Sequence, residues 1–227
     1  MNKSKPLLTI GSFCLILSIM LSVIDFWCFY MPFYESEYKK NNTTQATGMK
    51  ESDLLKTTEV LFDYLKDNRD DLIIRVQVNG YAREVFDRRE TLHMKDVKKL
   101  YLDAMKVRNI LFLAGVALLV AGVLLDRRHA LFNLITGYEL GVIIFVVFVS
   151  CLLFYALLDF NAFWIQFHEI FFDNDLYLLD PNTEILINMV PENFFFDLVM
   201  RIILSFISLI AVVYLAMKQF QRRFRNA

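Results

Sequence analysis

Residues 109–125 read NILFLAGVALLVAGVLL and are closed at once by Asp126, Arg127 and Arg128. A hydrocarbon core about 30 Å thick takes roughly 17 to 25 mostly apolar residues per helix, so this uncharged run reads as a membrane span. Working outward from it, two more runs qualify: Pro6 to Ile24, between Lys5 and Asp25, and Leu140 to Leu158, between Glu139 and Asp159. A fourth, Ile202 to Met217, is short alone and is expected to begin near Leu198 with Arg201 in its first turn. Arg201 would then snorkel outward or pair with Asp197 or Asp25. The composition agrees: 56% of the 227 residues are hydrophobic, more than a soluble core needs.

Charge placement orients the spans. Lys3 and Lys5 precede the first, Arg127 and Arg128 sit in the turn after the second, and Lys218, Arg222, Arg223 and Arg225 follow the fourth. These belong on the cytoplasmic side. The connection from Asp159 to Asp197 carries many carboxylates and no Lys or Arg, which places it outside. The expected order is a cytoplasmic N-terminus over 1–6, a first span over 7–30 and an extracytoplasmic module over 31–106. A second span over 107–125, a cytoplasmic turn over 126–137 and a third span over 138–158 follow. An aromatic and acidic outer connection over 159–197, a fourth span over 198–217 and a cytoplasmic tail over 218–227 complete it. The N-terminal run has no small-residue cleavage site and reads as an uncleaved anchor. Cys14, Cys28 and Cys151 all fall in or at the ends of spans, so they read as packing residues rather than a disulfide framework.

Within the outer module, Tyr34 to Gly48 is polar and reads as an ordered loop. Leu54, Leu55, Val60, Leu61, Tyr64 and Leu65 recur at helical spacing behind an acidic first turn. Ile74 to Val78 alternates up to Asn79-Gly80, a strong two-residue hairpin turn, and Tyr81 to Phe86 returns. From about Arg89 one helix is expected to run without Gly or Pro into the second span, with His93 and Asp96 on one face. Phe160, Trp164, Phe167 and Phe171 form an aromatic helical stripe with His168 at its edge. Asp180-Pro181-Asn182-Thr183 reads as a capped helix start, and Val190-Pro191-Glu192 as another. The fold class is therefore a mainly α integral membrane protein with four transmembrane helices and an extracytoplasmic helical module carrying a small β-hairpin.

No P-loop, Rossmann glycine pattern, Ser-centred elbow or His-Glu-x-x-His signature is present. A net charge of −1 gives no basic signal, so nucleic acid is not an expected partner. What remains is His93 and His168, two histidines on the outer side, whereas His129 follows Arg127-Arg128 inside and reads as solvated. A lone interfacial histidine is usually bland, and two facing one compartment are less so. His168, Glu169, Asp173 and Asp175 offer metal-ligand types without tight His-x-x-x-His spacing; the plainer reading is that these carboxylates cap helices and keep the loop soluble.

The stretches His93-Met94-Lys95-Asp96-Val97-Lys98 and Phe167-His168-Glu169-Ile170-Phe171-Phe172-Asp173-Asn174-Asp175 resemble signatures of the lipoprotein intramolecular transacylase family. The likeness continues through Leu179 to Glu184 and Val190 to Phe195, and the four-span layout fits it along essentially the whole chain. Two departures are Tyr177 where the family leads one to expect Trp, and Glu184 where it leads one to expect Asp. The resemblance implies an enzyme of the bacterial plasma membrane acting at the extracytoplasmic face on diacylglyceryl-modified lipoproteins among membrane lipid. The acyl chain of the sn-2 ester would move to the α-amine of the N-terminal cysteine, giving a lyso-form lipoprotein. Ester to amide is downhill, so no cofactor and no metal are expected. His93 and His168 would be general base and general acid or oxyanion donor, in either order, with Asp96 orienting His93, Asn174 donating to the oxyanion, and Asp173 and Asp175 supporting. Two other readings stand beside it: a non-catalytic outer-face module binding lipid or a partner, and an acyl-enzyme route through Cys28.

Overall fold

The computed structural model describes residues 4–226, with side chains as far as Arg223. Lys3 and the Arg225 side chain, assigned above to the cytoplasmic face, lie outside the described residues. In chain order the elements are α1 (Ser4–Cys28), α2 (Met31–Lys40), α3 (Thr43–Thr47), α4 (Glu51–Leu65), β1 (Arg75–Val78) and β2 (Tyr81–Glu84). They continue as α5 (Arg88–Leu125), α6 (Ala130–Leu158), α7 (Phe160–Phe171), α8 (Leu186–Met189) and α9 (Glu192–Asn226). α1, α5, α6 and α9 are long and apolar enough to cross a bilayer, so the chain is a multi-pass membrane protein with four spans. Only helices satisfy their backbone hydrogen bonds internally, which is why the apolar runs take this form.

Two compact units divide the chain. The first comprises Met1–Phe26, Met105–Leu158 and Met200–Ala227. Its core gathers Ile16, Tyr138, Phe145, Phe206 and Ile210. Close helix contact is set by small residues: a Cβ at Gly137 of α6 would lie 2.9 Å from the Thr9 backbone nitrogen of α1, so only hydrogen fits there. Polar groups in the bundle find partners, as in the Tyr138 hydroxyl donating to the Ile210 carbonyl at 2.7 Å and Arg108 pairing with Asp25 at 2.9 Å.

The second unit, Trp27–Ala104 with Asp159–Val199, carries the hairpin and the short helices. Asn79 and Gly80 both adopt positive φ, 52° and 84°, the geometry a two-residue turn needs to follow the twist of its strands. β1 buries Val76 and Val78, while β2 is exposed throughout. The core is aromatic: Phe33 and Tyr34 both pack on Phe194, with centroids 5.0 and 4.9 Å away, and Tyr34 also meets Phe62 at 4.8 Å.

Three expectations change. The segment 34–48 is helical rather than loop, forming most of α2 and all of α3. Its sequence looks polar, yet Phe33, Tyr34, Glu37 and Tyr38 are buried, so tertiary packing decides the conformation. Asp180-Pro181 does not start a helix: the Asp180 carboxylate accepts from the Asn182 backbone at 2.9 Å in a local turn, and α8 begins only at Leu186. The helix carrying the fourth span starts at Glu192, so Arg201 lies well inside it rather than in its first turn.

Candidate active site

Both histidines lie in the second unit, and each is held by a different device. α5 opens with a reciprocal cap in which the Glu90 backbone donates to the Asp87 carboxylate at 2.9 Å and the Asp87 backbone donates back to Glu90 at 2.7 Å. The other Glu90 oxygen accepts from the Leu186 backbone at 2.6 Å, tying the start of α5 to the start of α8. Glu90 is fully buried, and burial pushes its carboxyl above the usual range. Sequence reasoning missed this residue. The signal was present, since Asp87-x-x-Glu90 has capping-box spacing with Asp in place of Ser or Thr.

One turn beyond that clasp, His93 is buried, and its Nδ1 has no hydrogen-bond partner among the described residues. Burial, then the neighbouring His168, lowers its pKa to about 4, with Asp96 opposing and Arg89 adding to the fall. His93 is therefore neutral at physiological pH.

His168 sits on α7, which is capped by the Asp159 carboxylate accepting from the Ala162 backbone at 2.9 Å. Its Nδ1 lies 2.7 Å from the Trp164 carbonyl oxygen one turn back. A carbonyl only accepts, so Nδ1 carries the proton and the neutral ring keeps its lone pair on Nε2. Burial lowers the pKa of His168 too, and the Trp164 bond opposes that fall. The two imidazole centroids are 5.9 Å apart at an interplanar angle of 35°, and Phe172 packs against both, 5.5 Å from His93 and 5.6 Å from His168. The expected stripe is continuous, Phe160 on Trp164, Trp164 on Phe167 and Phe167 on Phe171, and Trp164 stacks on Phe195 at 4.2 Å.

Of the remaining candidates, Asp96 does not reach the Nδ1 of His93; its carboxylate accepts from the Asn174 amide at 2.9 Å and acts on His93 through charge. Asn174 spends its own oxygen on the Leu176 backbone at 3.0 Å. Asp175 approaches Arg89 at 3.6 Å, and Asp173 is exposed. Cys28 lies at the end of α1 as a half-buried thiol outside any disulfide. Among the described residues, no three His, Cys, Asp or Glu side chains converge as metal ligands would. Two neutral imidazoles side by side, one with a free lone pair, can move a proton between groups on one substrate.

Comparison with known proteins agrees with this architecture. The model of the family described as lipoprotein intramolecular transacylase Lit matches residues 9–195. A solved structure of the membrane integral lipoprotein intramolecular transacylase Lit from Bacillus cereus is similar with a TM-score of 0.76 at 19% identity, covering 98% of this chain and 100% of that one. Two further structures of the Bacillus cereus protein, with one histidine replaced by alanine or by arginine, give TM-scores of 0.77 and 0.72, each at 18% identity. The first pairs 99% of this chain with 96% of that one, the second 97% with 94%. No curated protein sequence matches significantly. The family match over most of the chain settles the assignment: this protein belongs to the lipoprotein intramolecular transacylase family.

Proposed function

We propose that this protein moves the acyl chain from the sn-2 ester of a diacylglyceryl-modified lipoprotein to the α-amine of the same N-terminal cysteine, at the extracytoplasmic face of the plasma membrane. The observation that carries the reading is the His168 imidazole, whose proton is fixed at Nδ1 and whose Nε2 is free to accept, beside a second neutral imidazole. The family acts on lipoproteins, and an intramolecular transfer needs no second substrate.

Attack of the amine closes a ring of about eight atoms through the thioether, and holding that conformer supplies part of the rate. The nitrogen–carbon bond forms as the proton on nitrogen passes to Nε2 of His168. The oxyanion is met by His93, whose proton we place on Nε2, since a buried N–H without an acceptor is rarer than an unfilled lone pair. The ester carbon–oxygen bond then breaks, and His168 returns the proton to the departing glyceryl oxygen. An amide and a free hydroxyl result, with no net proton change. Burial lowers the pKa of both rings, that of His93 to about 4, and so favours their neutral forms.

Co-expression with a model diacylated lipoprotein, followed by mass spectrometry of its N-terminal peptide, tests this. The sn-2 chain is expected on nitrogen in the wild type, and product should fall about 100-fold or more in His93→Ala and in His168→Ala. Acetylating the substrate amine should stop transfer, because the nitrogen lone pair is then held in amide resonance. Free fatty acid released from that blocked substrate, in a reaction abolished by chelator and restored by zinc, would replace the transacylase reading with a metal-dependent lipase.

A further inference from the structure

Five aromatic or imidazole rings surround His168, but they meet it differently. Trp164 and Phe167 approach nearly edge to face, at 76° and 85°, and Phe172 and His93 are tilted at 37° and 35°. Tyr177 lies flattest on the imidazole, with centroids 4.7 Å apart and planes at 25°. Tyr177 stands on no helix or strand, so something else must hold its ring there. Its turn is closed by the Leu178 backbone donating to the Asp175 carbonyl and the Leu179 backbone donating to the Tyr177 carbonyl, both at 3.0 Å. That turn is pinned to α5 twice: Asn174 donates to Asp96, and Arg89 donates to the Asp175 carbonyl. The polar residues around the histidines thus converge on placing one aromatic face.

We propose that Tyr177 is a positioning residue for His168, clamping the imidazole by its face and stabilising the imidazolium that forms when Nε2 takes the amine proton. This rests on His168 being the base of the proposed transfer. A planar delocalised cation stacked on an aromatic face is attracted by the ring quadrupole, and the attraction is absent while the ring is neutral. The stack therefore favours the charged intermediate over the resting enzyme, which is the condition for speeding a step. It also leaves the Nε2 edge open, because it covers a face. Of the titratable groups nearby, His93 meets His168 at 5.9 Å, Asp96 and Arg89 act on His93 from the same α5, and Glu169 follows His168 in the chain; His93 is the one of these with a ring contact to His168, and it is tilted at 35°.

The test is a series at position 177 in the full-length protein, assayed across pH with the diacylated lipoprotein whose N-terminal α-amine is free. The rate should rise with pH through two ionisations, the lower from His168 and the upper from the substrate amine. Tyr177→Leu should lower the rate about 2- to 30-fold and move the lower inflection to more acidic pH by about half a unit to one and a half units. Tyr177→Phe and Tyr177→Trp should restore both. Because Tyr177→Leu also removes ring packing from the turn, a same-size series decides independently: Tyr177→Phe carrying successive ring fluorines, which drain the quadrupole, should slow the reaction stepwise. A flat fluorine series, or a folded Tyr177→Leu with wild-type rate and inflection, overturns the proposal. His168→Ala separates this from the reading beneath it: inactivity with a flat Tyr177 series leaves the transacylase mechanism standing without the clamp, whereas full activity removes the base itself.

Discussion

Glu90 is a buried carboxylate whose hydrogen bonds all come from its surroundings within the protein. Its two oxygens accept from backbone N–H groups on two separate segments, and no water reaches it. In Glu90→Gln one oxygen becomes an amide that donates, so one of the two backbone donors faces another donor in a buried site. An unsatisfied buried group of this kind costs about 1–3 kcal/mol. The variant should therefore unfold at a lower temperature than wild type in detergent; an unchanged midpoint would show that the clasp contributes nothing. The two histidines could be found by reading, because the chain has only 3 histidines and two of them fall in the outer segments. Their division of labour could not. Which nitrogen of His168 holds the proton depends on a 2.7 Å approach to a carbonyl, and no spacing rule reports that. Glu90 hid for a related reason: its partner at Leu186 is far along the chain.

Helices that meet through glycine tolerate little. A Cβ on Gly137 would fall 2.9 Å from a backbone nitrogen and 3.0 Å from a backbone carbon of α1, neither of which can rotate aside. Gly137→Ala should therefore destabilise the protein by about 1–3 kcal/mol, the usual range for overpacking, and lower its thermal midpoint, while Thr136→Ala on the exposed face of the same helix should be nearly neutral. Equal midpoints for the two would refute close α1–α6 contact. The four long helices were plain from sequence because a bilayer admits little else over such apolar runs. The hairpin was plain because Asn79-Gly80 suits two consecutive positive φ values. By contrast α2 owes its form to Phe33, Tyr34 and Tyr38 packing within their unit, which local polarity conceals. Asp180 misled because the same carboxylate chemistry caps helices and closes turns.

For the chain as a whole, the basic residues predict orientation: Arg127 and Arg128 inside, Asn42, Asn79 and Asp180 outside. In a background with Cys14, Cys28 and Cys151 replaced by Ser, impermeant thiol reagent on intact cells should label Asp180→Cys and spare Arg128→Cys. The reverse pattern would invert the topology. This fold is shared with a protein only 19% identical, so most side chains in it are open to replacement over time. The group that fixes the proton on His168 is the Trp164 carbonyl, which belongs to the main chain. No exchange of the side chain at 164 deletes it. The tautomer of His168 is thus inherited with the helix rather than with any one neighbouring residue, and genetic drift can rebuild the walls around it while that proton stays in place.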